Sequence, residues 1–261
     1  MRHSFLDKYA YQDTPVHRLD GRAKVIVLGA TILAAVTTPV QAWWALAGYA
    51  LLIACLISLA RIPLLHVVTR WLVILPFILL AALSAPFLEG GRTVWSSSML
   101  GLNVSEHGLH VAAGAIAGST VSVLALITLV SVTPMPSLLE ALRRLRVPAV
   151  FVMLLSFAYR YLFILVDEAE RLETARESRS FGGGRLTHMR ALGRMIASLL
   201  VRSFGRAERV YAAMLSRGYD ASRPIPEAGR RFEGHDVAFL SAGLVLVIGL
   251  RSSVIWIPAM R

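Results

Sequence analysis

The chain has 261 residues, of which 56% are hydrophobic and only 16% charged, with a formal net charge of +11. Soluble domains carry about 25% charged residues, so this composition argues against a water-soluble globule and for lipid as the surrounding solvent. In a soluble chain the basic excess would point to nucleic acid; here it points to cytoplasmic loops facing anionic membrane lipid, with no nucleic-acid partner. Residues 1–22 are polar and of mixed charge, without the pattern of a cleavable signal peptide, so the first apolar run is expected to remain as a membrane helix. Five segments read as spans: Ala23–Thr38, Ala42–Ala60, Trp71–Leu88, Gly108–Val132 and Val237–Ile257, against a requirement of about 17–25 residues each. Pro39 separates the first two, and Pro63 marks the turn between the second and third. Pro76 and Pro86 are expected to kink the third span or end it early. The lone cysteine, Cys55, sits inside the second span, where it can form no intrachain disulfide and acts as a small hydrophobe.

Orientation follows from the Lys and Arg count. With the N-terminus inside, residues 1–24, 61–70 and 134–235 hold 5, 2 and 17 basic residues, which is 24 of the 27. The others are Arg92, Arg251 and Arg261. That asymmetry places those three regions in the cytoplasm. The stretch Ala149–Val166 is apolar enough to be a sixth span. Were it to cross, thirteen arginines within residues 167–235 would lie outside, so it is read as half-embedded or packed on the other spans instead. The expected layout is a cytoplasmic N-terminal segment (1–22), four transmembrane helices (23–133), a cytoplasmic helical region (134–235) and a final transmembrane helix (236–261), in an all-α polytopic membrane fold.

The region 134–235 carries the informative pattern. Ser137-Leu-Leu-Glu140 has capping-box spacing and is expected to open a short helix. A second helix is expected from Pro148 to Phe181, stopped by Gly182-Gly183-Gly184, and a third from after Thr187 to Arg217, capped by Gly218. On the third, Met189, Leu192, Ile196, Leu199, Ser203, Ala207, Val210 and Met214 form an apolar stripe, with arginines largely opposite. The two long helices close alike: Ser178-Arg179-Ser180-Phe181-Gly182 and Ser216-Arg217-Gly218-Tyr219-Asp220. An arginine there suits the negative end of the helix dipole and is in the first instance an ordinary cap. Repeated on consecutive amphipathic helices with small neighbours, it also suits bidentate contact with a partner's carboxylate.

With these endings the chain resembles the transmembrane T component of energy-coupling factor transporters, the CbiQ/EcfT family, whose members carry Ala-Arg-Gly-like tripeptides at the ends of two cytoplasmic coupling helices. Here Ser178-Arg179-Ser180 and Ser216-Arg217-Gly218 stand in those places, with serine replacing the first alanine in both and the glycine in one. The lead-in His17-Arg18-Leu19-Asp20-Gly21-Arg22-Ala23-Lys24 is also similar, except that Gly21 stands where a proline more often follows the aspartate. The resemblance implies a mechanical coupler that hydrolyses nothing itself. It implies two ABC-type ATPase subunits, each receiving one helix end, and a separate substrate-binding membrane subunit, of the cobalt type by the lead-in, with nickel the alternative. It implies Arg179 and Arg217 as the coupling contacts, with Ser178, Ser180, Ser216 and Gly218 permitting close approach, and a bacterial plasma membrane setting.

Other chemistries find little support. Gly182-Gly183-Gly184-Arg185 lacks the phosphate-loop pattern, so ATP chemistry and bound cofactors are expected elsewhere. His107-x-x-His110 shares a helix face but is a lone pair, and no metal site is assigned to it. Two alternatives are a self-sufficient divalent-cation carrier or channel, which would need polar groups converging within the spans, and a membrane enzyme acting on a phosphorylated lipid. For the latter Asp167, Glu168, Glu170 and Glu173 alternate with arginines like a solvated helix face.

Overall fold

The computed structural model describes residues 12–85, 93–97, 102–178, 184–220 and 232–259. They form helices α1 (Pro15–Arg18), α2 (Gly21–Thr37), α3 (Trp43–Leu59), α4 (Leu64–Ala82), α5 (Glu106–Val132), α6 (Met135–Arg144), α7 (Ala149–Glu177), α8 (Arg185–Ser216) and α9 (Gly234–Ala259). A short antiparallel hairpin of β1 (Thr93–Ser97) and β2 (Leu102–Ser105) precedes α5, paired Trp95 to Val104 and Ser97 to Leu102 with a bulge between Thr93 and Trp95. The sequence reading did not foresee this hairpin: four or five residues a side carry too little alternation to stand out between apolar runs.

The chain divides into two compact units, Met1–Ala141 with Arg230–Arg261, and Leu142–Gly229. In the first, α5 packs against α2, α3 and α4, while α9 packs against α2 and α3. Leu28 and Ala35 of α2, Tyr49 and Ile53 of α3, Val121 and Ala125 of α5 and Val247 of α9 share its core. Small residues set the closest approach. A Cβ on Gly118 of α5 would stand 3.0 Å from the backbone oxygen of Ala35 on α2, the kind of backbone contact that holds helices together where lipid removes the hydrophobic drive.

The outward faces are apolar. On α4 Leu65, Leu72, Val73, Phe77 and Leu80 are all exposed, a band that water would penalise and lipid accepts. Among the described residues α4, α5, α7 and α9 are long and apolar enough to cross a membrane. Helices α2 and α3, of 17 residues each, sit at the short end of what a bilayer requires, about 17–25 residues. The protein is a multi-pass, helical membrane protein. The third span starts earlier than expected, at Leu64 directly after Pro63, and continues through Pro76 to Ala82, so Pro76 does not end it. Pro86 lies outside the described residues. By length and hydropathy α7 also qualifies as a span, a crossing that the arginine distribution opposes.

Turns between helices are closed by left-handed caps. Arg61 (φ 52°), Arg146 (φ 68°) and Gly218 (φ 78°) each occupy the position just beyond a helix end. Each is spanned by a paired set of backbone bonds, as in Gly218 N–H to Leu215 O and Tyr219 N–H to Met214 O, the Schellman arrangement. At the other end of the chain, Arg18 of α1 donates two bonds to the Asp13 carboxylate, at 2.7 and 2.9 Å. That guanidinium holds the Asp13 carboxyl below the usual carboxylate range.

Candidate coupling site

Within Leu142–Gly229 the two long helices lie antiparallel. Their order is fixed by three contacts. Tyr219, just beyond α8, donates its hydroxyl to Met153 Sδ near the start of α7, at 3.2 Å. Arg202 of α8 bonds Glu168 at 2.7 Å, with Arg206 a further 3.7 Å from the same carboxylate. Arg176 at the end of α7 lies 3.5 Å from His188 at the start of α8. Arg202 and Arg206 are one turn apart on one face of α8, so a single acid on α7 meets both. The Glu168 side chain is 19% exposed, whereas Glu170 and Glu173 are exposed, so the reading of these acids as a solvated face holds for those two and fails for Glu168.

Between the helices runs an apolar groove of about 610 Å³, lined by Met153, Phe157 and Tyr161 of α7 and by Phe204, Val210 and Met214 of α8. The expected stripe is recovered only in part. Leu192, Leu199, Ser203, Val210 and Met214 are half-buried, but Met189, Ile196 and Ala207 are exposed and α8 has no fully buried residue. Leu200, Phe204 and Tyr211, outside the stripe, line the groove. Helix boundaries shift as well. The short helix begins at Met135, so Ser137 sits within it and the capping-box reading fails; Leu138 N–H bonds Pro134 O instead. Pro134 precedes the helix and Pro136 is tolerated in its first turn, whose N–H groups need no intrahelical partner.

The helix endings stand as follows. Ser178 caps α7, its N–H and hydroxyl both returning to Thr174 O. Arg179 and Ser180 lie outside the described residues, as does the expected helix end at Phe181. On α8, Ser216 bonds back to Ala213 O, Arg217 is the C-cap and Gly218 takes the left-handed position. All three are exposed, and a Cβ on Gly218 would meet nothing within 4 Å. The glycine is therefore required by its φ and not by crowding within the chain. Because the helices are antiparallel, Ser178 and Arg217 lie at opposite ends of the pair. With 32 residues in α8, that is a separation of about 48 Å at 1.5 Å per residue.

A helical membrane body and two long antiparallel helices, with Ser-Arg pairs at both endings in the sequence, make up the chain. The sequence profile of the family described as cobalt transport protein, CbiQ, matches residues 12–227. The chain belongs to the CbiQ/EcfT family. It is 31% identical over 230 residues to the energy-coupling factor transporter transmembrane protein EcfT of Thermanaerovibrio acidaminovorans, covering 82% of each chain. It is 24% identical over 258 residues to a fused cobalt transport protein, CbiMQ, of Methanocorpusculum labreanum, covering 95% of this chain and 42% of that one. It is 34% identical over 97 residues to the cobalt transport protein CbiQ of Rhodobacter capsulatus, covering 37% of this chain and 40% of that one. The chain therefore spans less than half the length of some curated relatives it matches and most of the length of others. Transmembrane components of the CbiQ/EcfT family are non-catalytic, ATP being hydrolysed on partner ATPases.

Two groups escaped the sequence reading. Glu168 was grouped with solvated acids because its partners are 34 and 38 positions away, beyond any local pattern. Asp236, fully buried at the start of α9, falls inside the expected final membrane segment 236–261 and carries no local signal of its own. His110 is exposed near the start of α5, and no cluster of three or more His, Cys, Asp or Glu able to hold a metal occurs among the described residues.

Proposed function

We propose that this protein is the transmembrane coupling subunit of an ATP-driven energy-coupling factor importer in a bacterial plasma membrane, with its N-terminus and residues 134–235 cytoplasmic. Two ABC-type ATPase subunits each receive one end of the α7–α8 pair, and a separate substrate-binding membrane subunit is reoriented by it. The substrate is cobalt, with nickel the nearest alternative. The observation that carries the reading is the end of α8: Arg217 exposed on a helix tip, with an open left-handed glycine immediately after it. A tip of that shape offers a guanidinium to a carboxylate-lined groove without bulk around it. The separation of the two endings along the pair supports one ATPase at each. Arg179 and Arg217 are the contacts, and Ser178, Ser180, Ser216 and Gly218 allow the groove to close on them.

The test is co-purification from native membranes in mild detergent, comparing the wild type with Arg179→Glu plus Arg217→Glu. The wild type is expected to bring down an ATPase and the double variant to lose it while still eluting as a folded protein. Each reversal is expected to cost about 2–5 kcal/mol of affinity, as for a buried, hydrogen-bonded charge left facing the wrong sign. Failure of the wild type to retain any ATPase, together with solute uptake by the protein alone in liposomes, would replace the coupler with a self-sufficient carrier.

A further inference from the structure

The lead-in to α2 contains more buried charge than any capping role requires. Asp20 and Lys24 are 7% and 3% exposed, and Asp236 of α9 is 0% exposed. In a membrane protein such groups persist only where they are held and where they serve something. What holds them is specific. Asp20 caps α2 by accepting the N–H of Arg22 at 2.8 Å, and donates its own N–H to Asp236 Oδ1 at 2.8 Å. The other oxygen of Asp236 accepts the N–H of Glu233 at 3.0 Å, capping α9. Lys24, one turn beyond Asp20, donates to His17 O at 3.1 Å and to Val132 O, the last carbonyl of α5, at 3.3 Å. A cation at the C-terminal carbonyls of α5 meets the negative end of that helix.

The same turn meets a fourth element. A Cβ on Gly21 would stand 3.1 Å from Ser137 O and 3.3 Å from Ala141 Cβ, both of α6. Chain connectivity gives these contacts their meaning. The chain enters the unit Leu142–Gly229 from α5 and α6 and leaves it into α9. All three of those elements are tied to residues 20–24. Elsewhere the body is packed through small and apolar side chains, which slide more readily than a buried, hydrogen-bonded charge can leave its acceptors.

We infer that the first turn of α2, Asp20 to Lys24, together with Asp236, is the anchor that transmits movement of the α7–α8 pair into the spans, making Lys24, Asp20 and Asp236 positioning residues for coupling. The inference rests on the coupling function proposed above. It also accounts for Gly21 at the first position of α2, because a side chain or proline ring there would press on the α6 backbone.

The experiment is hydrogen–deuterium exchange on the whole assembled transporter in nanodiscs, nucleotide-free against ATP-plus-vanadate trapped. It compares wild type, the near-isosteric Lys24→Met and Asp236→Asn, and the uncharged-site variant Gly21→Val. Wild type is expected to change protection with nucleotide both in α8 and in the first turns of α2 and α9. In the variants the α8 change is expected to persist while the change in α2 and α9 falls about five-fold or more, the range of ordinary allosteric couplings. A nucleotide-dependent change in α2 and α9 that survives in Lys24→Met and Asp236→Asn overturns the anchor. Variants that no longer co-purify with the ATPases also overturn it, since the cluster is then a folding element. Absence of any nucleotide response in wild-type α8 would strike the coupling function itself.

Discussion

Three residues, Arg61, Arg146 and Gly218, stand in the left-handed region, and only one of them is the residue type that does so without steric cost. For a residue with a Cβ that conformation costs roughly 1–2 kcal/mol. Arg146 is exposed, follows the end of α6, and its N–H and that of Val147 return to Arg143 O and Leu142 O. The backbone bonds are therefore independent of its side chain. Replacing it with glycine removes the strain but loosens the unfolded chain, which returns about 0.4–1 kcal/mol of the gain. Arg146→Gly is expected to stabilise the protein by about 0.5–1 kcal/mol net, a rise of roughly 1–4 °C in melting temperature for a chain of this size. Differential scanning fluorimetry in detergent measures it, and a fall in melting temperature would mean that the Arg146 side chain holds something the cap geometry does not.

Between elements, the decisive contact is the one that joins α7 to α8. Glu168 is largely shielded and meets two arginines, while the groove on one side of it holds apolar side chains with no partner on α8 fully buried. Apolar contact of that kind tolerates sliding; the ion pair does not. Spin labels on the two helices are expected to give a narrow distance distribution in the wild type and a broader one in Glu168→Arg. Glu168→Arg combined with Arg202→Glu is expected to narrow it again, with a coupling energy of about 0.5–1 kcal/mol for a partly exposed pair. An unchanged distribution in the single variant would assign the register to the groove instead. This scale also marks what could be read from sequence. Helices α2, α3, α5, α8 and α9 were legible within a few residues because hydropathy and glycine or proline punctuation are local signals. The cap at Gly218 was legible for the same reason. Glu168 with Arg202, Asp20 with Asp236 and Lys24 with Val132 were not, since they pair positions 34, 216 and 108 apart and depend on how helices stack. The endings at 178 and 216–218 were legible as a repeat, but nothing local says that they face opposite ways along an antiparallel pair.

For the whole molecule, the topology turns on whether α7 crosses the membrane. Length and hydropathy allow it to cross; charge opposes it. Thirteen arginines follow it before α9. Carrying each outward against an inside-negative potential costs about 2.3 kcal/mol per 100 mV, and insertion machinery reads such loops as cytoplasmic. The antiparallel return of α8 along α7 adds a second argument. Glu168 faces Arg202 and Arg206, so if the lower half of α7 lay in lipid, α8 would have to enter with it and carry its arginines there. The expected cytoplasmic placement of α7 and α8 gives both helices one polar environment. In a Cys55→Ala background, an impermeant maleimide applied to intact cells is expected to label Gln41→Cys, in the turn between α2 and α3, and to spare Glu170→Cys. Inverted vesicles are expected to give the reverse. Labelling of Glu170→Cys from outside would make α7 a sixth crossing, move the α8 tip away from any cytoplasmic ATPase, and remove the basis for coupling through Arg217.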